Sequence, residues 1–219
     1  MTGKRHRELK GEIMEQKTEQ KKVSEAKRRI IENYEIQRRE FQQKGFQESS
    51  EVFSVVKANV MVLVTSFPVM LILILLWIVA DRGPIGLRGS SYLPLLILFL
   101  VTAYIHEVLH GVGWCLGTKE KWKSIYIGMM WSSLTPYCHC KEPLEPGKYL
   151  FGCLLPGTVL GLGIYILAFI TGSSFLLWLS LLNVLGAGGD MLIAWYARRY
   201  RTGYVLDHPT ECGFIIFQK

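Results

Sequence analysis

The chain has 219 residues, 50% of them hydrophobic, and a formal net charge of +7. Lys, Arg, Glu and Gln crowd residues 1–51, while 52–197 is dominated by long apolar runs. This segregation argues against a nucleic-acid partner, because basic stretches beside apolar spans follow from the positive-inside tendency and attraction to anionic headgroups. Five cysteines, an odd number without framework spacing, give no disulfide scaffold.

Taken in chain order, residues 1–51 read as a charged cytoplasmic helical or coiled-coil segment. From Arg5 to Gln47 there is no Pro, and helix formers abound. Val23, Ile30, Tyr34 and Phe41 recur at seven or four residues and give one narrow apolar stripe. Such a stripe suits a seam for a homo-oligomer or another partner, a helix lying on the membrane surface, or a solvated helix. Met1–Ser50 offers no apolar h-region, so the first apolar stretch is expected to be a retained anchor.

Four apolar stretches follow, each near the ~20 residues that span a bilayer. They are Ala58–Ala80, Tyr92–Leu116, Tyr149–Ile170 and Ser174–Ala197. Asp81-Arg82-Gly83-Pro84 separates the first two, and Thr171-Gly172-Ser173 makes a tight turn between the last two. The longer connection Gly117–Lys148 carries Lys119, Lys121, Lys123, Lys141 and Lys148, and Arg198, Arg199 and Arg201 follow the last stretch. The opposing connections hold only Arg82 and Arg88. This asymmetry predicts a multi-pass cell-membrane protein with both termini and the long connection in the cytoplasm. The expected fold is an all-α, four-helix transmembrane bundle over 52–202. An amphipathic N-terminal helix precedes it, and a short cytoplasmic tail, 203–219, follows. The β-branched and aromatic run Ser124–Trp131 adds a short β-hairpin in the long connection. Two roles are open to it: an edge that pairs with an unwound substrate segment, or an interfacial cover anchored by Trp122 and Trp131.

The second apolar stretch contains His106-Glu107-Val108-Leu109-His110. Helical positions i and i+4 share a face, so both imidazoles can reach one tetrahedral ion. Glu107, offset by one residue, can take a proton from the attacking water without ligating the metal. Ionisable groups in an apolar span are costly unless paired, hydrated or metal-bound, which raises the weight of this motif. The cofactor expected is Zn²⁺, held by His106, His110 and a third protein ligand.

Candidates for that ligand are His139, Glu142, Glu145, Asp190, Asp207 and His208. Asp190 is the only acid in the fourth stretch. Both its stretch and that of the histidines run toward the cytoplasm, and all three side chains fall past the middle, at one depth. The alternative partner for Asp190 is Arg198. Asn183 lies on nearly the same helical face as Asp190, where it binds a substrate backbone group or bonds across helices. Gly157 and Gly161 read as a packing pair. Cys138-His139-Cys140 cannot readily encircle one ion in an extended segment. Asp207-His208-Pro209 reads as a turn.

These residues resemble site-2 protease-like intramembrane metallopeptidases. More closely, Tyr92–Phe217 is similar to a bacterial family of membrane proteins described as putative zincin peptidases. The resemblance rests on His106-Glu107-Val108-Leu109-His110, the long connection, Gly188-Gly189-Asp190, and Leu206-Asp207-His208-Pro209. It implies zinc on His106, His110 and Asp190, with Glu107 as general base. Site-2 proteases set the ligand aspartate in Asn-Pro-Asp-Gly or Leu-Asp-Gly, whereas here Gly189 precedes Asp190 and Met191 follows it. The expected activity is hydrolysis of peptide bonds in membrane-associated protein or peptide substrates near the cytoplasmic face. The alternative is a zinc-stabilised, non-catalytic scaffold that recruits partners through its N-terminal helix.

Overall fold

A computed structural model describes residue 25 and residues 28–130 and 135–219. Val23 and Trp131, and with them part of the apolar stripe and one of the two anchors expected for the hairpin, lie outside the described residues. Helix α1 covers 28–43 and ends at Gly45, whose positive φ of 78° turns the chain. Strand β1 (Gln47–Phe53) follows, and Ser54 caps α2 (Val55–Val79) by accepting from the Lys57 amide. Helix α3 is Tyr92–Cys115, and a hairpin of β2 (Ile125–Met130) and β3 (Thr135–Cys140) follows. Helix α4 (Pro146–Pro156) runs through a π-helical segment, Gly157–Gly163, into α5 (Ile164–Thr171). Gly172, with φ 67°, makes the tight turn into α6 (Ser174–Gly186). Helix α7 (Gly188–Ala197), β4 (Tyr204–Asp207) and β5 (Cys212–Gln218) complete the chain.

Among the described residues, three helical stretches are long and apolar enough to cross a membrane: α2, α3 and the continuous α4-to-α5 run. The fourth expected stretch is broken. Helices α6 and α7 meet at Ala187 with a 45° bend and make one further span only if the pair is counted together. Helix α2 packs closely against this break. The Thr65 hydroxyl of α2 donates to the Gly188 carbonyl at 2.8 Å. A Cβ on Gly188 would lie 2.7 Å from the Val62 carbonyl oxygen, so α2 can approach only a glycine here.

The expectation of an all-α fold is corrected by five strands among the described residues. The hairpin was expected. The three-stranded antiparallel sheet, ordered β1-β5-β4, was not. It joins a strand from the charged N-terminal segment to the two strands of the tail, so it crosses both divisions drawn from sequence, at 51/52 and at 202/203. Alternation along β5 explains why both faces are covered. Phe214 and Ile216 point into a cluster with Trp114, Tyr149 and Ala197. Ile215 and Phe217 point the other way, onto Phe41 of α1. The Phe41 and Phe217 rings stack at 4.6 Å, and Ile30 is buried too. This part of the α1 stripe is therefore spent inside the chain.

A second core cluster sits at the opposite end, around Trp77, Tyr165, Leu177 and Leu181. There the Trp77 indole donates to the Gly83 carbonyl, and Arg82 donates to the Phe169 carbonyl at 2.7 Å. Gly161 packs against Val184 and Gly157 against Ala187, as the packing pair implies. The Ser180 hydroxyl donates to the Gly161 carbonyl and satisfies a backbone acceptor in the π-helical segment.

Candidate metal centre

The last half of α3 places one functional side chain every four residues on a single face: His106, His110 and Trp114. This face meets α4 at very close range. A Cβ on Gly113 would lie 2.5 Å from the Gly152 Cα, and one on Gly152 would lie 2.1 Å from the Trp114 ring. The pair of glycines lets the backbones approach until His110 Nδ1 reaches the Gly152 carbonyl oxygen at 2.9 Å. A carbonyl oxygen only accepts, so Nδ1 carries the proton and Nε2 presents its lone pair.

That lone pair faces Asp190. His110 Nε2 lies 3.3 Å from Asp190 Oδ1, and His106 Nε2 lies 2.9 Å from Asp190 Oδ2. The α6/α7 break makes Asp190 the third residue of a new helix, where unpaired N–H groups and the helix dipole favour a carboxylate. The break thus aims an acid from the first turn of α7 at the histidine face of α3. The alternative partner takes no part, because the Arg198 guanidinium lies over the Trp195 ring at 3.5 Å.

The three donor atoms fit a metal ion. All lie within 4.8 Å of one another. A tetrahedral zinc with bonds of ~2.0–2.2 Å needs donor separations of about 3.3–3.6 Å; His110 to Asp190 Oδ1 meets this at 3.3 Å, and His106, at 2.9 Å from the other oxygen, has to open slightly to admit the ion. The tautomer of His110 is already the ligating one, set by a backbone carbonyl behind it as in many zinc sites. Glu107 sits beside the cluster, half-buried, with the Cys138 backbone N–H of β3 facing its carboxylate. The hairpin side of α3 thus carries Glu107 and Gly111, next to the donor face that meets α4 and α7.

The model of a protein family described as "Putative zincin peptidase" matches residues 99–205. Over this segment the chain is similar to that family. The zincin segment contains His106, Glu107, His110 and Asp190, and runs from α3 to the start of β4. Its description names a zinc-dependent peptidase, and the donor set fits that ion. Comparison with curated proteins and with solved structures returned no match.

The other sequence candidates lie elsewhere. Glu142 takes N–H groups from Lys119 and Glu120 and the hydroxyl of Ser124, and so secures the turn before β2. Burial alone would raise its pKa, but these donors together bring it below the usual carboxylate range. Glu145 pairs with Lys148 at 3.2 Å. His208 Nδ1 accepts from the Glu211 amide and organises the turn before β5. Burial lowers the His139 pKa against the pull of Asp207, so its imidazole is neutral at pH 7. Cys138, His139 and Cys140 join no metal-binding group among the described residues.

Asn183 is buried, and its amide donates to Thr102 Oγ1 at 3.1 Å and to the Leu179 carbonyl at 2.9 Å. This is the helix-to-helix bond of the two roles expected for it. Sequence reading missed Trp114, Tyr149 and Gly152, and took Asp207 only as a candidate ligand or a turn residue, whereas it accepts from the Tyr149 hydroxyl and the Cys140 N–H. Trp114 was within reach, since it continues the i, i+4 series of the histidines; the Gly152 carbonyl carries no side-chain signal at all.

Proposed function

We propose that this protein is a membrane-embedded zinc metallopeptidase that hydrolyses peptide bonds of membrane-associated protein or peptide substrates near the cytoplasmic face. The observation that carries the reading is the convergence of His106 Nε2, His110 Nε2 and the Asp190 carboxylate beside Glu107, with the histidines on a helix long and apolar enough to cross a bilayer and Asp190 on the second half of a bent helix pair. Strand pairing supports an even number of crossings. Strand β1, before α2, pairs with β5, after α7, and Leu144, before α4, bridges Val205 of β4. In this reading β1, the C-terminal strands and the long connection share one side, the side on which the basic connection and the arginines after the last stretch also fall.

In this reading His106, His110 and Asp190 hold the ion, and the Gly152 carbonyl keeps the His110 ring oriented. The chemistry that zinc supplies when bound is Lewis acidity, which brings the pKa of water toward ~7 and polarises a carbonyl. Glu107 takes a proton from the attacking water on its carboxylate oxygen and passes it to the departing amide nitrogen. The scaffold alternative loses support from the packing of α1, because Ile30 and Phe41 of its stripe are turned inward and not offered to a partner.

The test is Glu107→Gln in the full chain. Turnover of a membrane-associated peptide substrate is expected to fall by about 10²–10⁴-fold, the usual contribution of a general base, with about one zinc per chain retained. Cleavage at the parental rate would remove Glu107 from the mechanism.

A further inference from the structure

The tail carboxylate Asp207 has no part in the reading above, yet both its oxygens are directed into the protein. Oδ1 accepts from the Tyr149 hydroxyl at 2.8 Å, and Oδ2 accepts from the Cys140 backbone N–H at 2.8 Å. The adjacent His208 ring takes over the turn. Asp207 thus joins three elements: the end of β4, the end of β3 and the first turn of α4. The neutral His139 is 3.9 Å away and makes no ion pair that would explain the carboxylate otherwise.

From Tyr149 a line of contacts leads to the metal centre. The Tyr149 ring stacks on Trp114 at 5.6 Å with planes 16° apart, and the Tyr149 carbonyl accepts from the Trp114 indole N–H at 3.0 Å. Trp114 stacks in turn on His110 at 5.0 Å, planes 14° apart. Three rings lie nearly parallel, with the phenol hydroxyl pinned at one end and the ligand imidazole at the other. Both restraints on the His110 ring depend on α4: its N–H bond goes to Gly152, and the indole backing it is held by Tyr149. A ligand ring free to rock loses the lone-pair direction that a tetrahedral site needs.

We propose that Asp207 is a positioning residue for the metal centre, holding the His110 imidazole in its ligating orientation through Tyr149 and Trp114. The inference rests on the zinc reading above and extends it to a residue beyond the segment that matches the zincin family. It also gives the tail sheet a role in the site: the carboxylate ends β4, which is paired to β5 and through it to β1.

The experiment measures zinc affinity by competition with a chromophoric chelator on the detergent-purified full chain. The visible absorption of the cobalt(II)-substituted protein reports on ligand geometry. Asp207→Ala is expected to weaken zinc binding about ten- to a hundredfold, as loss of an outer-shell partner does, and to alter the cobalt spectrum. Tyr149→Phe keeps the ring stack, removes only the hydroxyl, and should weaken binding several-fold. The double variant should be no worse than Asp207→Ala alone, because both changes cut one path. A residue that only braces the fold would lower the unfolding temperature and leave the affinity and cobalt spectrum of the folded protein unchanged. That outcome in Asp207→Ala overturns the inference. If Asp207→Ala does not fold, parental zinc affinity in Tyr149→Phe overturns it equally. A parent chain that takes up no zinc overturns the zinc reading and this inference with it, and is distinguished by failing before any variant is compared.

Discussion

Helices α2 and α3 are nearly the same length and equally able to cross a membrane, yet they do different work. Beyond Lys57 in its first turn, α2 has no charged side chain, and most of its apolar side chains are exposed on the surface of the chain. Helix α3 is like α2 through its first half, where Leu95 is the single buried residue before Thr102. Its second half buries His106, His110, Gly111, Gly113 and Trp114. Lipid-facing sequence tolerates any apolar residue, so α2 carries little positional information. A buried polar face must find partners for each group, so the second half of α3 fixes which helices lie against it.

The sharpest way to break this contrast is to remove the partner that α3 was built to meet. Asp190→Ala leaves two imidazoles facing a gap. Zinc affinity, measured by chelator competition, should fall by more than about a hundredfold, beyond what loss of an outer-shell partner costs. His106→Ala should do the same. Parental zinc occupancy in Asp190→Ala would mean that another group completes the site.

How far the sequence could anticipate this depends on the range of the interactions involved. The i, i+4 histidines and the apolar runs are local patterns, and both were legible. Asp190 was legible because an acid in an apolar stretch is conspicuous and its depth could be counted by helical rise. The bend at Ala187 that aims it was not, and its contacts with Val62 and Thr65 come from a helix far away in sequence. The β1-β5-β4 sheet was hidden for a similar reason. Its central strand, Cys212–Gln218, is a short continuous apolar run that reads as nothing without its covers. Its edge strand, Gln47–Phe53, carries two glutamates and looks like more of the charged segment, though charge is how an exposed edge avoids stray pairing. Neither strand announces a partner that lies more than 150 residues away in the chain.

A smaller effect is expected where α3 meets α4. Gly152→Ala puts a methyl into the Trp114 ring, 2.1 Å from its nearest carbon, and the ring cannot retreat without leaving the His110 stack. The expected cost is about 1–3 kcal/mol of overpacking, read as a lower unfolding temperature in detergent. Zinc binding should weaken as well, because Gly152 also supplies the carbonyl that orients His110. A variant with parental stability would show that the crossing is looser than its geometry implies.

The last contrast lies within α2, between two neighbouring residues. Leu76 is 50% exposed, while Trp77 is fully buried in the cluster with Tyr165 and Leu177. Trp77→Ala is expected to cost about 3–5 kcal/mol, since it opens a cavity and removes the donor to the Gly83 carbonyl. Leu76→Ala should stay within about 0.5 kcal/mol, the range of surface substitutions, because lipid or detergent replaces the lost methyl contacts. Equal losses at the two positions would mean that Leu76 also meets protein, either in another copy of the chain or in a partner. That result would turn α2 from a solvent-like face into an interface, and the contrast with α3 would then concern chemistry alone and no longer packing.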